Sequence, residues 1–532
     1  MSDVDRVHAD HILQHRCDLC LFLSLCLPLT HTTRNIPHHT MACRYEKEPR
    51  LGGRAYTVAL DDNEQQLLIE LGASIIHIEN DLILTMARAA NLTPVPVDQD
   101  GDGLLALFDG VSLVFRQSPW RIITFIKTLW RYGFQPWFYR NSAYNFLHKF
   151  RTIYDLQANG TSFVSVHDML KSIACHTLTQ EVFVQYIRDT FHTYSTFAAE
   201  IVAAASKTNY NQNNMELNAF AGLVSLLPAT DPRVVRIKEG NTKIAETVIE
   251  HVVDGGNGKG SIYLNTTVVE IVQKATTATS GAGEHEKKTF TVVATTTSSS
   301  SSTNTTTTTT PNNNNNNNNL KEGEEREYDA VIIATPVQST TAPIQLSNIP
   351  HLPVIPHRAY QQTIVTIIRG TLRPTFFGLP PGPFPYSTIL VTESGTNVPF
   401  TSISRVGMCK GTGMNNVYYY KLFSRQSLPQ TWLGMIFDGG YQILVTRTWE
   451  AYPRFDAPEN FPPFKLSEGL YYSSAWENAA SAMEMASLAG RNVALLVNEY
   501  LSAKQRQHRG ADILVSRGRQ SGGNGDAILS SM

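Results

Sequence analysis

The stretch RYEKEPRLGGRAYTV, Arg44 to Val58, reads as the second half of a dinucleotide-binding unit. In a βαβ unit of that kind, the acidic residue ending the second strand accepts hydrogen bonds from the adenosine ribose hydroxyls. Glycines behind it let backbone approach a pyrophosphate, and an arginine adds positive charge. Glu46, followed by Gly52, Gly53 and Arg54, has that spacing. An ordinary surface turn also uses Gly-Gly, so the motif has to be weighed with its surroundings. Its usual first half, a strand and a G-x-G-x-x-G turn, is not upstream: residues 1–43 contain no glycine.

The chain has 532 residues, too many for one simple core, so two domains are expected. Charged residues make up 17% and the net charge is −2, a balance that argues for neither nucleic acid nor anionic lipid as partner. Four of the six cysteines lie in the first 43 residues, which excludes a disulfide framework for the body. Cys17 and Cys20 have no second pair to complete a zinc site, and no metal is expected. The apolar run LCLFLSLCLPL (Leu19 to Leu29) suits a signal-peptide core and is too short to span a bilayer. Its flanks favour a segment without a structural role in the mature protein. No later run reaches transmembrane length.

The tract from Thr295 to Asn319 has nothing apolar to bury and is expected to be disordered. Strand-like sequence on both sides, KTFTVVA and EREYDAVIIATPV, makes it a swollen hairpin loop. The Gly-, Ser- and Arg-rich residues 504–532 are likewise read as a disordered tail.

Three further pieces follow in the order a nucleotide-binding sheet needs. SIYLNTTVVEIVQK (Ser261 to Lys274) is β-rich, and its Val268 is placed to pack on an adenine. YDAVIIATPV (Tyr328 to Val337) is a buried parallel strand that ends at Ala334, Thr335 and Pro336. WENAASAMEMASLAGRNVALLV (Trp476 to Val497) begins a small-residue helix on whose first turn a cofactor can rest, with Glu477, Ala479, Ala480 and Met483 at its start.

The sequence resembles the prenylcysteine oxidases, also called prenylcysteine or farnesylcysteine lyases, within the amine-oxidase-like FAD superfamily. Besides LGGR at 51–54, the residues that carry the resemblance are ELGASIIHIEN at 70–80, WRYGF at 130–134, FAGLVSLLP at 220–228, EGNTKI at 239–244 and HRAYQQTIVTIIRG at 357–370. The C-terminal blocks TWEAYPRF at 448–455, LYY at 470–472 and ENAASAMEMASLAGRN at 477–492 are the most specific.

The resemblance implies an α/β fold, with a doubly wound FAD-binding domain that lacks its first βα unit and an inserted α+β substrate domain. It implies FAD as cofactor, with Gly72, Ala73 and Ser74 approaching the flavin from the substrate side. The implied substrate is farnesyl- or geranylgeranyl-cysteine, and the implied products are cysteine, a prenyl aldehyde and hydrogen peroxide formed from dioxygen. The compartment implied is lysosomal, vacuolar or secretory, where the sequons at Asn91, Asn159 and Asn265 would matter. The missing glycine turn is a departure from the family. Either unrelated sequence stands in place of the first βα unit, which the abrupt break before Cys43 favours, or the chain is a fragment that holds FAD poorly. Another amine-oxidase-like flavoenzyme and a non-catalytic remnant remain as alternatives.

From Trp120 to Tyr154 there are 12 aromatics in 35 residues. Trp130, Tyr132 and Trp137 are candidates for an apolar substrate slot, and ordinary helical core is the competing reading. Lys127, Arg131, Arg140 and Lys149 are candidate partners for a substrate carboxylate. His77 is a weak candidate acid–base, against a structural histidine. The expected partition is 44–90, 215–345 and 450–503 for the FAD domain, and 91–214 and 346–449 for the substrate domain. Its deciding feature is one sheet shared by the segments near Tyr45 and Val331.

Overall fold

The computed structural model describes residues 18–21, 41–62, 65–97, 103–255, 260–280, 283–296, 324–338, 342–409 and 417–521. The elements that position the site begin with β1 (Asp18–Leu21), β2 (Met41–Tyr45), the hairpin β3 (Tyr56–Asp62) and β4 (Gln65–Gly72), and helix α1 (Asp81–Ala89). Strands β5 (Leu105–Phe108) and β6 (Leu113–Arg116) precede helices α2 (Arg121–Tyr132) and α3 (Gln135–Ala158). After further helices come β7 (Ser261–Tyr263), β8 (Thr266–Ser280), β9 (Gly283–Thr296), β10 (Glu324–Tyr328), β11 (Ala330–Ile333) and β12 (Gln345–Ser347). The described elements end with β13 (Tyr360–Gly370), β14 (Thr388–Val391), β15 (Phe400–Met408), β16 (Tyr418–Ser424), β17 (Gln442–Pro453), β18 (Lys465–Ser467), β19 (Leu470–Tyr472) and α4 (Met483–Ser521).

The first sheet has the order β7-β2-β1-β11-β19-β18. All neighbours are parallel except β18 and β19. The chain runs outward from β1 to β2 and β7, then crosses to β11 and β19 on the other side, which is the doubly wound order. β11 is Ala-Val-Ile-Ile and all four residues are buried, as a central parallel strand covered on both faces requires. Tyr45 and Val331 lie in this one sheet, with β1 between their strands.

At residues 18–21 and 41–43 that arrangement corrects the reading of residues 1–43 as foreign to the fold, and residues 1–17 lie outside the described residues. Backbone pairing places Leu19 opposite Ala42 on one side and Ala330 on the other, so Asp18–Leu21 supplies the central strand. Residues 41–43 belong to β2. The apolar run at Leu19 thus begins as a strand, and residues 22–40 lie outside the described residues.

The tract's flanking strands pair as a hairpin, with Phe290 opposite Tyr328. Thr295 and Thr296 complete β9, while residues 297–323 lie outside the described residues. The tail reading is corrected from residue 504 to residue 521, which continue α4. Lys, Gln, Arg, Ala and Leu there are good helix formers, and the helix is anchored by Lys504, which donates to Asp329 at 2.5 Å.

The large second sheet has the order β17-β13-β16-β15-β14-β5-β6. Its period-2 alternation sorts side chains to two faces. Ile368, Tyr420 and Leu422 enter a core with Phe108 and Phe437, whereas Val365, Ile367 and Tyr419 pack against Ile69 and Leu71 of the β3–β4 hairpin. This hairpin, expected with the nucleotide domain, therefore lies on the second sheet. β17 likewise runs through the expected boundary at 449/450.

Glu484, in the first turn of α4, ties three helices together. Its carboxylate accepts from the Leu82 and Ile83 amides at 2.9 Å each, capping α1, and from the Tyr154 hydroxyl of α3 at 2.7 Å. Burial holds this carboxyl above its usual pKa, against those three donors. Glu484→Ala leaves buried donors unpaired and should cost about 2–4 kcal/mol, read as a lower denaturant midpoint. Glu484→Gln, which keeps one acceptor, should lose less. An alanine variant as stable as the parent would contradict the tie.

Candidate active site

In a parallel sheet every strand ends on the same side, and ligands bind in the crevice beyond those ends. Here Glu46 follows β2, Ala334 to Pro336 follow β11, and Ser473 to Asn478 follow β19 as a short 3₁₀ turn. All three segments open onto one cavity of about 1080 Å³. Ordinary ligand pockets occupy about 300–1,000 Å³, so there is space for a large cofactor and a second molecule.

Glu46 is held in place by its neighbours. Its carboxylate accepts from Arg44 Nη2 at 3.1 Å and from the Glu48 amide at 3.2 Å. Nε and Nη1 of Arg44 are buried with no hydrogen-bond partner among the described residues. Burial pushes the Arg44 guanidinium below its ordinary pKa, with Glu46 opposing. A buried cation with open donors fits an anionic or hydroxyl-rich ligand at this end of the cavity. Gly52 has φ +102°, and a Cβ there would sit 2.8 Å from Thr242 Cγ2, so the turn tolerates only glycine.

Arg54 crosses to the opposite wall. It forms an ion pair with Glu477 and donates to the Ala451 carbonyl of β17 at 2.8 Å. The Tyr360 hydroxyl of β13 donates to the same Glu477 carboxylate at 3.2 Å. The loop after β2, the turn before α4 and the second sheet thus meet at one charge pair.

A second clamp holds Gly72, Ala73 and Ser74. A Cβ at Gly72 would collide with the Arg54 carbonyl and lie 2.8 Å from the Trp449 ring. Ala73 has φ +54°, a left-handed conformation that costs a non-glycine residue energy. The Asn241 side chain donates to the Ala73 carbonyl at 2.7 Å, while the Asn241 amide donates to the Glu70 carboxylate at 2.8 Å. Lys421 of β16 donates to the Glu70 carbonyl at 3.0 Å and to Ser74 Oγ at 2.8 Å. Burial pushes the Lys421 ammonium down to a pKa of about 8, with Glu70 opposing. This lysine lies on the cavity wall.

The residues singled out in the sequence sort clearly. Glu46, Gly52, Gly53, Arg54, Gly72, Ala73, Ser74, Val268, Ala334, Thr335, Pro336, Glu477, Ala480 and Met483 all line the cavity. Ala479 is buried and does not line it. His77 reaches the wall with both ring nitrogens engaged, Nε2 at 3.2 Å from the Asp231 carbonyl and Nδ1 at 3.3 Å from the Glu79 amide. Burial lowers its pKa, with Asp231 opposing, which fits the structural histidine.

Trp130, Tyr132 and Trp137 do not form a slot. Trp130 is 92% exposed and Trp137 69% exposed, whereas Tyr132 is buried away from the cavity. The apolar wall comes instead from the later turns of α3, through Phe146, Leu147, Phe150 and Tyr154. Lys127, Arg131, Arg140 and Lys149 are also absent from it. The cavity's cations on the second sheet are Arg405, Lys421 and Arg447, which sequence reasoning missed. The one local signal was a lysine set inside the apolar strand YYYKLF.

A sequence model of the prenylcysteine lyase family matches residues 115–509. Prenylcysteine oxidase 1 of Mus musculus is 28% identical over 468 residues, covering 85% of this chain and 82% of that protein. Farnesylcysteine lyase of Arabidopsis thaliana is 25% identical over 476 residues, covering 87% and 82%. Among solved structures, cyclohexylamine oxidase from Brevibacterium oxydans aligns at a TM-score of 0.47 with 12% identity, covering 92% of this chain and 100% of that one. With most of its length matched by the family's sequence model, the chain belongs to the prenylcysteine lyase family.

Proposed function

We propose that the chain is an FAD-dependent oxidoreductase that cleaves the thioether of prenylcysteine to cysteine and a prenyl aldehyde, reducing dioxygen to hydrogen peroxide. The observation that carries this reading is the single cavity, shared by the strand ends of the parallel sheet and an apolar helix wall, in a member of this family. Glu46 and Arg44 suit the ribose end of a dinucleotide, and Gly52, Gly53 and Arg54 leave backbone and charge beside it. Ala334 to Pro336, Glu477 and Ala480 would flank the ring end. The glycine turn of the usual phosphate grip has no counterpart among these residues.

FAD, when bound, supplies a two-electron acceptor for hydride from the allylic carbon next to sulfur. The chain's part is to position the substrate and exclude water. Phe146, Leu147 and Phe150 offer an apolar wall for the isoprenoid, and Arg405, Lys421 and Arg447 offer charge for the cysteine carboxylate. We also read the compartment as lysosomal, vacuolar or secretory. In support, the asparagines of three sequons, Asn91, Asn159 and Asn265, are exposed.

Incubation of the FAD-loaded chain with farnesylcysteine or geranylgeranylcysteine in air should release free thiol and prenyl aldehyde in equal amounts. Intact thioether after prolonged incubation would overturn the reading. Glu46→Gln keeps the shape but loses charge-assisted bonds, so FAD retention should weaken about tenfold or more. Glu48 also lines the cavity, so the control is Glu250→Gln on an exposed helix face, which should leave retention unchanged. Equal retention in Glu46→Gln and the parent would remove the ribose assignment.

Lys421 gives a pH signature. Its ammonium form is present below about pH 8 and is lost as pH rises through that value. If the charge holds the substrate carboxylate, kcat/KM of the parent should fall above that pH. Lys421→Met should be weaker below it and lack the descent. Parallel profiles for both proteins would show that Lys421 acts only on the Gly72–Ser74 loop.

A further inference from the structure

α2 sits on the protein the wrong way round for a soluble helix. Its apolar residues Ile122, Phe125, Ile126, Leu129 and Trp130 recur at the spacing of one helical face. An ordinary amphipathic helix would turn that face to the core. Here it points to solvent, and the helix rests on its polar side through half-buried Thr124 and Thr128 and buried Tyr132. Tyr132 packs between Phe115 and Phe197, at 5.6 and 5.5 Å between ring centroids, and donates to Glu200 at 2.8 Å. Arg131 donates to the same carboxylate. These contacts fix the orientation.

The exposed face continues past the turn at Gly133. Phe134, Trp137 and Phe138 stand out at the start of α3, and Trp120 precedes α2. Half of the chain's six tryptophans are therefore on this one surface, all outside the cavity. Contiguous apolar area of this kind on a folded protein marks an interaction site.

The charge around it selects the partner. The chain's net charge is −2, but residues 111–154 hold seven Lys and Arg and no Asp or Glu. Arg116, Arg121, Lys127 and Arg140 are exposed beside the aromatic face. Tryptophan, phenylalanine and aliphatic side chains with a basic rim are the composition of helices that lie in a membrane interface, and the rim suits anionic headgroups. A second copy of the chain is a poorer fit, because a two-fold interface sets the same patch on itself and brings these cations against their own images. Among the described residues no helix is long and apolar enough to cross a membrane.

We propose that α2 and the start of α3 form a docking surface for an anionic lipid bilayer, on which this chain lies. The surface is joined to the cavity by α3 itself. From Trp137 to Phe146 is about 13 Å along the helix, so one rigid element runs from the lipid face to the apolar wall. A substrate carrying an isoprenoid would then enter from the same lipid. Docking does not depend on the reaction, because its probe is the bilayer alone.

The test is flotation of the purified full chain with vesicles of phosphatidylcholine alone and of phosphatidylcholine with phosphatidylserine. The parent should float with the mixed vesicles, less so at high salt, and its tryptophan emission should shift to the blue. The double variant Phe125→Ser/Trp130→Ser should lose about tenfold or more of this partitioning, with its melting temperature unchanged because both residues are exposed. Arg121→Glu/Lys127→Glu should lose the preference for phosphatidylserine. No flotation of the parent with either vesicle would overturn the proposal. So would a dimer in solution that Phe125→Ser/Trp130→Ser dissociates while vesicles remain unbound.

Discussion

The Arg54–Glu477 ion pair is the contact on which the rest of the site depends. Arg54 belongs to the loop leaving the second strand of the parallel sheet, and Glu477 to the turn that leads into the last helix. Tyr360 and the Ala451 carbonyl, both from the second sheet, complete the cluster. Residues from both sheets line the cavity. The pair sets how the strand ends of one face the inner surface of the other, and the cavity is the space left between them. Glu477 is buried while the Arg54 side chain is partly exposed, so the costly change is loss of Arg54, which leaves the Glu477 carboxylate buried without its cation. The same geometry explains Gly72: any larger residue would push the Arg54 carbonyl and the Trp449 ring apart.

Much of this was legible in the sequence because it is local. An acidic residue followed by Gly-Gly-Arg, or a run of Ala-Val-Ile-Ile before a proline, states its own conformation through spacing and size. So did the hairpin around the Thr/Ser/Asn tract, whose flanking strands pair as their patterns predicted. Three features were not legible, each for a different reason. Leu19 to Leu21 form a central strand, but a short apolar run reads equally well as a signal core until its neighbours are known. Lys421 is one cation in an apolar strand sequence, and it is buried where the hairpin at 56–72 lies over that face of the sheet.

The third is the aromatic segment from Trp120 to Tyr154. Periodicity shows that a helix has an apolar face and says nothing of what it meets. Core and substrate slot were the two readings for Trp130 and Trp137, and the structure gives neither. The last half of α3 does serve the cavity, so the segment divides its aromatic residues between solvent-facing and enclosed surfaces. Global composition concealed this as well: a nearly neutral chain contains a 44-residue stretch without one acidic residue.

The central claim is that this cavity joins a flavin to a prenylated thioether, and the most direct measurement is spectroscopic. The chain is loaded with FAD, made anaerobic and mixed with farnesylcysteine while the flavin band at about 450 nm is followed. The band should bleach on addition of farnesylcysteine, remain unchanged with cyclohexylamine, and return on admission of air. A band that farnesylcysteine leaves intact and cyclohexylamine bleaches would contradict that claim.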